Sequence, residues 1–188
     1  MIMLTERYSK ALEFAKEAHK GIVRKTSDTP YITHPIEVAE IVAQMSSDED
    51  VIIAALLHDV VEDTAYTLED ISKMFGDKVA ALVAEESEDK RRNQLASETW
   101  KLRKLETIEH LKLASTNVKI IALADKLSNL RSMYTDIQHM GDRLWDCFNQ
   151  KDKSQHEWYH REISNAVKEL SNTVQWQEYV ELCDKVFK

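Results

Sequence analysis

The stretch Ala54-Ala55-Leu56-Leu57-His58-Asp59-Val60-Val61-Glu62-Asp63-Thr64 changes character at its middle. Four apolar residues suited to a helix interior run straight into His58, Asp59, Glu62 and Asp63. At about 100° per residue, a continuing helix sets these four polar residues within an arc of roughly 140°, on one side. Imidazole and carboxylate are both ligands for first-row metals. Two further carboxylates one turn on can handle water and protons. A solitary His-Asp pair at a helix end is an ordinary solvated feature. This one follows a strongly apolar run and has partners elsewhere in the chain.

The first partner lies upstream. His34-Pro35 opens a helix, because proline fits the first helical position, where no N–H is needed. Ile36, Ala39, Ile41, Val42 and Ala43 supply its core face. The short Ser46-Ser47 connection then makes an antiparallel hairpin with the helix that Asp48 caps and that leads to His58. The second partner lies downstream. Thr116 is expected to cap a helix in which Ile120, Leu123, Leu127, Leu130 and Tyr134 form one apolar stripe. Val118, Ile121 and Ala122 extend burial onto a side that continues as Asp125, Ser128, Asn129 and Ser132. An acid that follows apolar residues on its own face is costly to bury unless it is paired or bound to a cation. Asn129, one turn on, reaches the same pocket.

Composition bounds the rest. The chain has 188 residues, the size of one domain with a sizeable core. It has 3 Gly and 2 Pro. Such poverty in turn formers points to an all-α chain of helices joined by short polar loops. The net charge of −8 argues against a nucleic-acid-binding surface, which needs clustered Lys and Arg. It does not exclude a small polyanion held by a cation and a few local basic residues. Cys147 and Cys183 make no disulfide framework, so a reducing compartment is expected. No signal-type core and no run of ~18 apolar residues is present, so a cytoplasmic protein with no membrane partner is the simplest reading.

The remaining segments read as helices and loops. Thr5 caps a first helix that runs to His19, which reads as a helix-end residue. In the loop at 20–33, Arg24 and Lys25 stand where the chain meets the next helix. An arginine there can pair with phosphate or stack on a base. Thr67 and Asp70 open a short helix that Gly76 closes, and Asp77 caps the next, to about Glu86. A charged loop follows, with Lys90 facing either solvent or substrate. Ser97 caps a helix to about Leu113, with Trp100, Leu105, Ile108 and Leu111 as its apolar contacts. From about residue 137, two or three further helices carry an aromatic-rich set, including Trp145, Phe148, Trp158, Tyr159 and Trp176. This set either closes the pocket or builds a homo-oligomer face. His139, His156 and His160 carry no assigned function.

In order, His34, His58-Asp59 and Asp125 form an H…HD…D pattern. This pattern resembles that of the HD-domain metal-dependent phosphohydrolases, and more closely the RelA/SpoT-type alarmone hydrolases in their stand-alone form. The matching segments are Ala18-His19-Lys20-Gly21 with Arg24-Lys25, and Pro30-Tyr31-Ile32-Thr33-His34-Pro35. They continue with residues 54–64, Phe75-Gly76, Glu88-Asp89-Lys90, and the run from Leu123 to Arg131. The resemblance implies a single HD-domain helical bundle over 1–188, with the C-terminal helices packed onto it. It implies a bound Mn2+ held by His34, His58, Asp59 and Asp125. Glu62 and Asp63 would be the catalytic acids, and Arg24, Lys25 and Asn129 the substrate contacts. The implied reaction is hydrolysis of the 3′-pyrophosphate of ppGpp or pppGpp to GDP or GTP. A synthetase activity is not expected in 188 residues. Gly21-Ile22 and the longer loop from Lys25 to Pro30 depart from the common pattern and bear on base specificity. Adenine alarmones and NADPH are therefore alternative substrates. A non-catalytic nucleotide-binding module is a third reading, which the presence of Glu62, Asp63 and every ligand disfavours.

Overall fold

The computed structural model describes residues 5–88, 91 and 93–188; Lys90 lies outside them. The described residues form α-helices and two short 3-10 segments, with no strand beyond an isolated bridge between Val23 and Pro30. The helices are α1 (Glu6–Ala18), α2 (Thr33–Met45), α3 (Glu49–Leu57), α4 (Val60–Asp63) and α5 (Leu68–Phe75). They continue with α6 (Asp77–Glu86), α7 (Ala96–Leu113), α8 (Thr116–Met140), α9 (Lys153–Ala166) and α10 (Val174–Val186). The all-α expectation holds.

The 25-residue α8 is the axis. It touches α2, α3, α6, α9 and α10. Its residues from Val118 to Asp125 are all buried, which explains why its apolar residues spread beyond one stripe. The α2–α3 hairpin packs across it, as expected from the short connection. Behind the His-Asp pair, Ile53, Ala54, Ala55, Leu56 and Leu57 are wholly buried. On α7, Trp100, Ile108 and Leu111 are buried as expected, whereas Leu105 is 41% exposed and is not a core contact.

Several helix starts differ from the sequence reading, each for a local reason. Thr5, Asp48 and Thr67 cap as expected, the last in a full capping box with Asp70. α8 is capped by Ser115, whose hydroxyl accepts from the Val118 N–H; Thr116 is already helical, and its hydroxyl binds Glu169. Leu95 precedes α7, so Ser97 lies inside the helix. Gly76, at φ 97°, joins α5 to α6, a left-handed geometry suited to glycine, and Asp77 is the first residue of α6. α2 starts at Thr33, which places Pro35 third in the helix. The N–H at that position would have no intrahelical acceptor, so the proline loses nothing.

The most consequential difference is at His58. The helix does not continue through it: α3 ends at Leu57 and α4 starts at Val60. His58 Nδ1 bonds the Ala55 carbonyl at 2.7 Å. That carbonyl is the one a continuing helix would offer to the Asp59 N–H. The side chain takes the acceptor, and the backbone opens by a turn. Because α8 organises the core, Leu127→Ala, at a position with no exposure, is expected to cost about 2–5 kcal/mol. Urea unfolding measures this as a lower midpoint at unchanged slope. A loss well below ~1 kcal/mol would show that α8 is not the axis of packing.

Candidate metal centre and nucleotide cleft

The opened turn aims His58 and Asp59 at the start of α2 and the middle of α8. His58 Nε2 lies 3.0 Å from Asp59 Oδ2 and 3.8 Å from Asp125 Oδ1. His34 Nε2 lies 3.1 Å from Asp125 Oδ1 and 3.7 Å from Asp59 Oδ2. His34, His58 and Asp59 offer ligand atoms all within 4.8 Å of one another. Both histidines are buried. Three residues from two separated segments thus bring ligand atoms together, and Asp125, from a third, stands beside both imidazoles with its oxygens bonded to Asn129 and Lys126.

This donor set fits a divalent cation. His58 Nε2 is buried yet makes no hydrogen bond, because the nearby carboxylates lie off its line. Its Nδ1 faces a carbonyl, which can only accept, so that nitrogen keeps a proton and Nε2 is the one that ligates once its own proton is lost. The electrostatics agree. Burial opposes charge on the His58 imidazole, but Asp59 and Asp125 outweigh burial and push its pKa up to about 10. Burial also opposes charge on Asp125, but Lys126, His34 and His58 hold its carboxyl well below the usual range. Asp59 is held low in the same way, chiefly by His58. Buried negative charge here calls for positive charge nearby.

Around these ligands the other expected residues fall into place. The loop at 20–32 is drawn tight by Arg24 N–H to Thr29 O and Tyr31 N–H to Ile22 O, both at 2.9 Å. Its tip is tied to α8 by Thr26 and Asp136 at 2.7 Å. Arg24 donates to Asn129 Oδ1 at 3.3 Å, and Asn129 donates to Asp125 Oδ1 at 2.7 Å. Arg24 also lies over the Tyr31 ring at 5.9 Å, and Lys25 over Phe148 at 5.9 Å. Glu62, on α4, accepts from the Glu88 N–H at 3.2 Å. All nine expected site residues line one cavity of about 730 Å³. That volume suits a nucleotide-sized ligand.

Sequence reasoning assigned no role to several other residues of this cavity. Tyr31 donates its hydroxyl to Asp59, and burial followed by Asp59 raises its pKa. Lys126 bonds Asp125. Arg103 and Lys104, from α7, reach Glu88. Glu86 has a buried carboxylate oxygen without a partner, and burial pushes its pKa up to about 8. His19 is not merely a helix end: it is buried, with its ring 5.1 Å from that of Tyr31. Phe148, His156 and Tyr159 line the cavity, so part of the aromatic C-terminal set closes the pocket. A Lys126 next to an Asp125 on an apolar face was a readable signal; the approach of α6 and α7 was not.

Residues 11–153 match the family model described as HD domain. The chain is 40% identical over 130 residues to the Drosophila melanogaster protein named guanosine-3′,5′-bis(diphosphate) 3′-pyrophosphohydrolase MESH1, covering 68% of this chain and 69% of that one. The chain belongs to the HD-domain family, in its MESH1 and SpoT-type branch. The Haemophilus influenzae protein named guanosine-3′,5′-bis(diphosphate) 3′-pyrophosphohydrolase is 40% identical over 122 residues, 63% of this chain. The chain spans only 17% of that protein's length. A solved structure described as a metazoan ortholog of SpoT that hydrolyzes ppGpp superposes with a TM-score of 0.79 at 30% identity, covering 97% of this chain and 96% of that one. Among the described residues, no helix is long and apolar enough to cross a membrane.

A cation entering this centre must displace the proton that the two carboxylates hold on His58. Affinity for a divalent cation is therefore expected to rise with pH through neutrality, by about tenfold per unit, and to level off near the His58 value. Calorimetry in two buffers of different ionisation heat is expected to show about one proton released per cation. Binding at neutral pH with no proton release would contradict the charge balance described here.

Proposed function

We propose that the chain is a metal-dependent phosphohydrolase that removes the 3′-pyrophosphate of ppGpp or pppGpp, giving GDP or GTP and pyrophosphate, with Mn2+ as its cation. The observation that carries this reading is the junction of the His34, His58, Asp59 and Asp125 centre with a cation-rimmed cavity of nucleotide size in an acidic chain. The activity for which the Drosophila relative is named agrees with it, as does the ppGpp hydrolysis ascribed to the similar metazoan structure.

In this reading His34, His58, Asp59 and Asp125 hold the cation, which when bound polarises a phosphoryl oxygen and acidifies water. The rest falls to the chain. Arg24, Lys25, Arg103, Lys104 and Lys126 bring positive charge to the cavity wall and meet the phosphates and the base. Asn129 holds Arg24 at the mouth and Asp125 at the floor, so the two ends of the substrate site share one anchor. Glu62 and Asp63, on the turn after the His-Asp pair, take the proton from the attacking water and return one to the leaving 3′-oxygen. The new bond joins water oxygen to phosphorus, and the bond between phosphorus and the ribose 3′-oxygen breaks. No oxidant or second substrate is required.

The test is hydrolysis with added Mn2+ across ppGpp, ppApp, NADPH and a nucleoside monophosphate. Pyrophosphate release is expected from ppGpp and is expected to vanish in Asp59→Ala. Glu62→Gln is expected to lower kcat by about 10²–10⁴-fold. Release of orthophosphate alone, or turnover only of another member, would move the protein to another substrate. Metal binding with no turnover would leave a binding module.

A further inference from the structure

His58 and His34 are held differently. The His58 Nδ1 partner is a backbone carbonyl, but the His34 Nδ1 partner is the Ser128 hydroxyl, 2.9 Å away and buried. A hydroxyl can donate to His34 or accept from it, so Ser128 alone leaves open which ring nitrogen carries the proton. What decides it lies one residue further out. Ser128 Oγ donates to Glu37 Oε2 at 2.8 Å. The other oxygen of Glu37 takes Arg131 Nη1 at 2.9 Å, and Arg131 in turn grips Glu178 with Nε and Nη2, both at 2.7 Å. Glu37, in an ion pair with Arg131, only accepts. The single Ser128 proton is therefore committed to Glu37. Ser128 must accept from His34, so His34 Nδ1 carries a proton and Nε2, 3.1 Å from Asp125 Oδ1 and 3.7 Å from Asp59 Oδ2, is the nitrogen left to ligate.

We infer that Ser128 and Glu37, braced by Arg131 and Glu178, are positioning residues that set the tautomer of His34 and thereby its readiness to bind the cation. The relay crosses α2, α8 and α10 and ends in a surface cleft of about 400 Å³ that Glu37, Ser128 and Arg131 line. His34 lines both that cleft and the catalytic cavity, so the relay forms the wall between them. The C-terminal helix thereby reaches a ligand of the centre without touching it. The inference rests on the metal reading above.

Glu37→Gln is the discriminating change, because it keeps the shape and alters one donor. Arg131 has only donors to give, so it takes the amide oxygen. The amide N–H then faces Ser128, whose hydroxyl must donate its hydrogen bond to His34 Nδ1. The ring proton moves to Nε2, where the ligand lone pair should be. The experiment is 15N NMR of the histidine rings in the full chain after metal removal, with circular dichroism confirming the fold. Mn2+ affinity is measured alongside, from the loss of the free-ion paramagnetic resonance signal.

The wild-type spectrum is expected to show His34 protonated on Nδ1, and Glu37→Gln to show it on Nε2. Mn2+ binding is expected to weaken by about 10–100-fold in Glu37→Gln and Ser128→Ala and to recover in Ser128→Thr, which keeps the hydroxyl. A wild-type His34 without a proton on Nδ1 would overturn the relay, and so would unchanged Mn2+ affinity in Glu37→Gln. Failure of the wild-type chain to bind Mn2+ would instead overturn the metal reading, with the tautomer still decided by the spectrum.

Discussion

Two carboxylates, Asp59 and Asp125, are held inside the protein against the same pair of imidazole nitrogens. Like charges in a poorly polarisable interior repel strongly, and each also loses hydration. The arrangement persists only if positive charge sits among them. The His58 proton and Lys126 supply it in the chain alone. A divalent cation would supply more, beside the ligand atoms of His34, His58 and Asp59. The shape of the site follows from meeting this requirement at one spot.

The fold meets it by breaking helices where the chemistry needs direction. An unbroken helix through His58 would lay His58, Asp59, Glu62 and Asp63 along one face. By taking the Ala55 carbonyl, His58 ends α3, and α4 restarts at Val60 and carries Glu62 and Asp63. The His-Asp pair thereby sits at the break between the two helices, with Glu62 and Asp63 on the short helix beyond it. The wholly buried run from Ile53 to Leu57 stiffens the break from behind, and the long α8 supplies Asp125 and Asn129 from the opposite wall. Apolar packing thus fixes where the polar atoms point.

Much of this was legible in the sequence, for a physical reason. A buried acid such as Asp125 interrupts an apolar face, and an interruption can be read from periodicity. His34-Pro35 marks a helix start that local sequence can show, whereas the break at His58, through which the helix was expected to run on, comes from a side chain taking the Ala55 carbonyl. Thr5, Asp48 and Thr67 were readable because a cap is a local hydrogen bond. Ser115 was not distinguished from Thr116, because both can cap and only the backbone angle separates them. Glu86, Arg103 and Lys104 reach the cavity through the approach of α6 and α7. No local pattern encodes that approach. Ser128 was placed on the right face, but its bond to Glu37 joins positions on separate helices and has no signature in either helix alone.

The two histidines show how one centre combines rigidity with dependence on the rest of the molecule. The Nδ1 acceptor of His58 is a carbonyl three residues earlier in its own helix, so its orientation is settled as soon as α3 forms. The acceptor of His34 is a serine whose polarity is set by a glutamate, which is held by an arginine, which is held by a second glutamate on the last helix. That ligand is complete only when α2, α8 and α10 have docked. A chain that has formed its individual helices but not packed them therefore has one ligand aimed and one undecided. Readiness to take up the cation then reports on tertiary packing, because half of the imidazole donor set is assembled by contacts between helices.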